Sequence, residues 1–239
     1  MKFYAWVMLG VVAAMSSSSV MAGQPATPTD PPAVLQAEVS FQFERIGLPV
    51  PRFTVQVRED GTGRYQADEA AGSSSQSSSA VRYVGEKHID RSITLSSATV
   101  AKIFKAARGL DRFNVACASK AKNIADTGKK TLSYVGADGR GSCTYNYSEI
   151  KSVTTLTDTF LAIAFTMDEG RKLDFLHRYD RLGLDAEMTT LMHEMDEGRA
   201  LELGTIAPSL DAIAGDTALI QRVRLRAARL LEQTKDDRR

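Results

Sequence analysis

The chain has 239 residues, 43% of them apolar and 25% charged, with a formal net charge of +1. That is enough apolar surface to close a core without a metal or several disulfides, which excludes the small stapled scaffolds. Near-neutrality excludes a global field drawing the protein to nucleic acid or anionic lipid.

The N-terminus reads as an export signal. Met1-Lys2 is a short positive start, Tyr4 to Met15 is apolar, and Val20-Met21-Ala22 places small residues where a signal peptidase cleaves. The apolar run is too short for a membrane span and is interrupted by Ser16–Ser19. Cleavage after Ala22 removes Lys2 and leaves 29 basic against 29 acidic residues, a mature charge of zero with no transmembrane helix. Export puts the protein in an oxidising space, periplasmic or secreted. There, two thiols are more often a disulfide than a metal site or nucleophile, so Cys117 and Cys143 are expected to pair; two buried free thiols are the alternative.

Residues 23–33, with Pro25, Pro28, Pro31 and Pro32, read as a disordered leader. Val39, Phe41 and Phe43 alternate with polar residues, as do Phe53, Val55 and Val57: two half-buried strands. Asp60-Gly61-Thr62-Gly63 turns the chain into Arg64–Gln66, and the serine-rich tract Gly72–Ser79 reads as a loop. Val81–Val84 and Ile89–Leu95 are further strand candidates. Ser97 then caps a helix with Val100, Ile103, Phe104 and Ala107 on one face, ended by Gly109. Phe113-Asn114-Val115 is a short strand candidate before Cys117.

The most legible stretch is Lys130 to Phe165. Two alternating runs, Thr131–Val135 and Cys143–Tyr147, flank Asp138-Gly139, a hairpin signal because glycine supplies the positive φ of a tight reversal. Ser148 then caps a helix with Ile150, Val153, Leu156, Phe160 and Ala164 inward. The recurrence of hairpin then helix admits a duplicated ββα unit. Beyond Met167 the pattern is helical: Glu169–Leu182 stopped by Gly183, a helix capped by Asp185 and ended by Gly198, a short one near Pro208, and a last one capped by Asp216. Residues 168–216 carry 5 basic and 12 acidic side chains, whereas residues 217–239 carry 7 and 3, so the two segments are expected to face each other.

Catalytic and cofactor signatures are weak. His88, His177 and His193 have no zinc-ligand spacing, and His193-Glu194 lacks the second histidine of the metalloprotease pattern. There is no nucleophile elbow, and the glycine pairs 61/63 and 139/141 precede strands and lack a third glycine, so no cofactor, metal or catalytic residue is assigned. Asp126–Lys130 reads as a turn entering the hairpin, or else a small basic tip. Asn146-Tyr147-Ser148 fits a glycosylation sequon but lies where strand meets helix and is read as chance. Tyr145 and Tyr147 share a face with Cys143 and could form a binding platform, core packing being the alternative. Arg222, Arg224, Arg226 and Arg229 crowd the last helix; they suit pairing with acidic neighbours, or an anionic polymer if the face is left unpaired.

The export signal, Phe53–Val57 with Asp60-Gly61, the Ser97–Gly109 helix, the Lys130–Tyr147 hairpin and the run Leu176-His177-Arg178-Tyr179-Asp180-Arg181-Leu182-Gly183-Leu184-Asp185 together resemble exported bacterial proteins of acidobacterial type. The resemblance implies export and carries no assigned activity. The expected architecture is α+β: an antiparallel sheet with packed helices over 34–167, followed by a small helical subdomain over 168–239. The expected function is a non-catalytic binding module whose partner is another envelope or extracellular protein, not nucleic acid. The alternatives are a hydrolase with a dispersed site, or an envelope protein holding an anionic polymer through the basic last helix.

Overall fold

The computed structural model describes residues 36–70 and 87–236, and these belong to one compact unit. The export segment, the Pro-rich leader, the serine-rich tract and the strand candidate Val81–Val84 lie outside the described residues.

The strands read at Val39–Phe43, Phe53–Val57, Arg64–Gln66, Ile89–Leu95 and in the hairpin about Asp138-Gly139 are realised. β1 (Glu38–Glu44), β2 (Arg52–Arg58), β3 (Thr62–Glu69), β4 (Lys87–Thr94), β5 (Lys129–Gly136) and β6 (Gly139–Tyr145) form one antiparallel sheet in the order β4-β3-β2-β1-β5-β6. Alternate residues point to opposite faces, so Val39, Phe41 and Phe43 of β1, Phe53, Val55 and Val57 of β2, and Leu132 and Tyr134 of β5 all enter one core. Register aligns them: Phe41 lies opposite Val55 on one side and Leu132 on the other. Gly61 turns β2 into β3 at φ +86°, a conformation that a Cβ would strain.

The helices α1 (Ser97–Gly109) and α2 (Lys151–Tyr179) cover that apolar face. Val100, Ile103, Phe104 and Ala107 of α1 are buried, and Phe160 of α2 stacks on Phe41 with ring centroids 5.2 Å apart. The α1 cap is Ser96, one position before the expected Ser97; its hydroxyl accepts from the Thr99 amide, and its own N–H and O–H donate to Glu202. Among the described residues four strands precede α1 and two lie between α1 and α2, so the hairpin-and-helix outline does not recur as equal units.

The largest departure from the sequence reading is in α2. Two helices were expected, over Ile150–Phe165 and Glu169–Leu182; one helix of 29 residues runs through. Gly170 does not break it. A Cβ there would lie 2.3 Å from Ile206 Cγ2, so the glycine serves close packing of another segment. The helix also begins at Lys151, with the Ser148 hydroxyl accepting from the Ile150 amide just before it. Its N-terminal part buries Val153, Leu156, Phe160, Ile163 and Met167 against the sheet, and Leu173 and Leu176 enter a second core. That second core is closed by α3 (Leu184–Asp196), α4 (Ala207–Gly215) and α5 (Gln221–Asp236) through Met188, Leu191, Leu210, Ile213, Val223, Ala227 and Leu230. The change from one core to the other falls inside α2, with no break in the backbone. Asp185 sits in the first turn of α3 and does not cap it, and Asp216 accepts from the Ala218 amide ahead of α5.

The strand expected at Phe113–Val115 is absent. Asp111, Arg112 and Phe113 form a tight turn at φ 48°, 55° and 67°. This left-handed run of L-residues is held from three sides: Phe113 is buried, Arg112 pairs with Asp138, and Nδ2 of the Asn114 side chain donates to the Arg140 carbonyl. Just beyond it, Cys117 and Cys143 form a disulfide with Cα atoms 5.8 Å apart, fastening the segment to β6. Gly141 permits the approach, since a Cβ there would lie 2.2 Å from the Arg112 carbonyl.

Candidate functional site

The helices that pack on the sheet cover one face, and the other is polar. Its side chains come from the out-facing parity of all six strands. One cross-strand row reads Asp90, Gln66, Thr54, Gln42, Thr131, Thr144; the next reads Ser92, Arg64, Gln56, Ser40, Ser133, Ser142. With strands about 4.8 Å apart the rows span about 24 Å. The middle of the face is neutral hydroxyl and amide, and the rims are charged.

Hydrogen bonds fix much of this surface. Thr131 and Thr144 hydroxyls lie 3.1 Å apart, and the Ser133 hydroxyl donates to Ser142 at 3.2 Å. At the β4 side, Arg64 Nε donates to Asp90 at 2.6 Å, which holds the Asp90 carboxyl below its ordinary pKa. His88 Nδ1 lies 2.8 Å from Asp68, and Arg52, Glu44 and Lys129 continue that rim. Chemically the face offers an ordered grid of donors and acceptors to a polar partner.

The three histidines stand on separate elements. His88 is on β4 beside Asp68; His177 of α2 lies 2.9 Å from Asp216, which it holds below the ordinary carboxylate range; His193 is exposed in the last turn of α3. Among the described residues no hydroxyl or thiol is hydrogen-bonded to any of these rings. No group of three or more metal-binding side chains occurs among them either.

The tyrosines separate. Tyr145 is no platform residue: it has the same parity as Cys143, so it turns into the core, 4% exposed, with its hydroxyl bonded to Thr157 of α2. Tyr147 lies beyond the end of β6 and is 47% exposed. Arg222 Nε and Nη2 donate to the Asp185 carboxylate, and Arg226 Nη1 donates to the same carboxylate at 2.6 Å and to Thr189 at 2.8 Å. Asn146 is occupied in the turn before β5: its Oδ1 accepts from the Thr127 amide and its Nδ2 donates to the Ala125 carbonyl. Lys130, read with that turn, is buried; its ammonium donates to the carbonyls of Thr127, Gly128 and Asn146, and burial lowers its pKa.

Two polar clusters escaped the sequence reading. Tyr65 donates to Asp168, whose neighbour Arg171 also reaches Glu69. One helical step away, Glu169 of α2 and Glu187 of α3 are both buried beside Lys172, whose Nζ lies 2.7 Å from Glu187 and 3.9 Å from Glu169. The only trace of them in the sequence is the acid surplus of 168–216, which periodicity assigns to a solvated face. A cavity of about 530 Å³ also lies beside the β2–β3 turn, floored by Val100 and Phe104 and crossed at its rim by the Arg108–Glu59 pair at 2.7 Å.

No helix among the described residues is long and apolar enough to cross a membrane. Compared with known families and curated proteins, the sequence matches no family model and no curated relative.

Proposed function

We propose that this chain is an exported, non-catalytic binding module that engages another envelope or extracellular protein through the open face of its sheet. The observation that carries this is the polar grid from Asp90 to Thr144, presented by six strands and backed by a well-filled core. A rigid sheet with hydrogen-bonded side chains loses little entropy on binding, which favours a specific polar contact. Export is supported by the apolar N-terminal run before Val20-Met21-Ala22, by the resemblance to exported bacterial proteins of acidobacterial type, and by the Cys117–Cys143 bridge, a bond that persists in oxidising compartments.

The test is capture from envelope extract with a photo-crosslinker at Gln56, in the centre of the face, or at Lys102, exposed on α1. A discrete crosslinked protein is expected at Gln56 and not at Lys102, and it disappears when Ser133→Arg is added while circular dichroism is unchanged. Equal capture from both positions, or capture indifferent to Ser133→Arg, rules the face out. Turnover of an ester, peptide or glycoside that is lost in His88→Ala or His177→Ala would instead favour the hydrolase alternative.

A further inference from the structure

We propose that the outer stripe of α5 formed by Arg222, Leu225, Arg226 and Arg229 is a docking site for a linear phosphodiester polymer with short polyol spacers. This stands independently of the sheet face. Burial of Val223, Ala227 and Leu230 sets the rotation of α5, and positions four and three residues apart then share one stripe. Together with Gln221, the four side chains line a shallow cavity of about 400 Å³.

The pairing with acidic neighbours read from the sequence is realised at Arg222 and Arg226 through Asp185, and what remains for a ligand, among the described residues, is Arg229 and the outer edges of the two paired guanidiniums. Asp185 accepts from Nε and Nη2 of Arg222 and from Nη1 of Arg226. Among the described residues, Nη1 of Arg222, Nε and Nη2 of Arg226 and the whole Arg229 guanidinium enter no hydrogen bond or ion pair. Glu232, exposed three residues beyond Arg229 on the same stripe, adds a second carboxylate, so three guanidiniums against two carboxylates leave a local surplus of one positive charge. The first turn of α5 holds no acidic residue, so the partial positive charge of the helix N-terminus adds to it.

The ligand class follows from geometry. At 1.5 Å per residue, Arg222 to Arg229 covers about 10 Å of helix axis, long enough for successive anionic groups of one chain and too long for a single phosphate. Guanidinium forks match phosphate oxygens. Leu225 stands 60% exposed among the cations, where the carbon spacer between two phosphates would cover it. A polymer of bare charges would leave that contact unused.

The experiment is fluorescence anisotropy of labelled poly(glycerol phosphate) with the full chain at several salt concentrations. Binding is expected at low salt with a slope of log K on log salt of about −2, as for three phosphate contacts on a single strand. Arg229→Gln lowers the slope by roughly 0.7, and Leu225→Glu weakens binding about tenfold or more, whereas Arg140→Gln on the sheet changes nothing. Circular dichroism and melting confirm that the variants fold. The proposal is overturned by absence of binding at low salt, by full affinity in Arg229→Gln and Leu225→Glu, by equal binding of polyglutamate, or by tighter binding of single-stranded DNA.

Discussion

The Tyr65 hydroxyl donates to Asp168 at 2.8 Å, joining the middle of β3 to α2 across 103 positions of sequence. Burial pushes the Tyr65 phenol far above its ordinary range and raises the Asp168 carboxyl as well, while Tyr65 and Arg171 pull Asp168 back. The bond seats α2 on the sheet at the point where one core gives way to the other. Tyr65→Phe keeps the packing and leaves Asp168 short of a donor, so a loss of about 1–2 kcal/mol in urea unfolding is expected. An unchanged midpoint would mean that Arg171 and water satisfy Asp168 alone.

Glu169 links stability to pH. Burial first, then the facing Glu187 carboxyl and the Asp168 charge, raise it from 4.5 to about 8, against the opposing pull of Lys172. Its Oε2 has no hydrogen-bond partner. A carboxyl with a raised folded pKa gives its stabilisation in full below the unfolded value, and loses it as pH rises through the folded one. The melting temperature is therefore expected to fall between about pH 5 and pH 8, and Glu169→Gln, which stays neutral, flattens that decline. Parallel pH profiles for the two proteins would refute the linkage.

The Cys117–Cys143 bridge closes a loop over a separation of 26 residues. On the chain-entropy account it stabilises the fold by about 3.5 kcal/mol. The double variant Cys117→Ala/Cys143→Ala should lose about that much, and hydrogen exchange should quicken first in residues 111–121 and along β6. Uniform loss of protection across the sheet would show that the bridge does not act locally.

Asp111 is exposed at φ 48°, in a left-handed run where each L-residue costs roughly 1–2 kcal/mol. Asp111→Gly relieves that strain at the expense of a freer unfolded chain, for a net gain of up to about 1 kcal/mol. Its contact with Arg112 at 3.5 Å is a surface pair and contributes little. A lower melting temperature in Asp111→Gly would show that the turn is held without strain.

Periodicity alone determined a good deal. The parity of Val39, Phe41 and Phe43 identified the strand and its inward face, because side-chain direction in a strand follows from backbone geometry. The same local logic placed the β5–β6 hairpin at Asp138-Gly139 and the apolar face of α1, while the pairing of the two cysteines was read from the oxidising compartment that the export signal implies.

What needed the tertiary structure was everything set by neighbours distant in sequence. The sequence does not show why a glycine stands at position 170 inside a helix; the structure shows Ile206 pressed against it. Lys130 carries a surface charge by composition, yet its parity matches Leu132 and its ammonium is satisfied by three carbonyls of the adjoining turns. Tyr145 and Thr157, Tyr65 and Asp168, and Arg226 and Asp185 meet only once helices and strands are docked. The open polar face likewise exists because the packed helices cover one side of the sheet. Local sequence sets which way each side chain points; chain packing decides what it finds there.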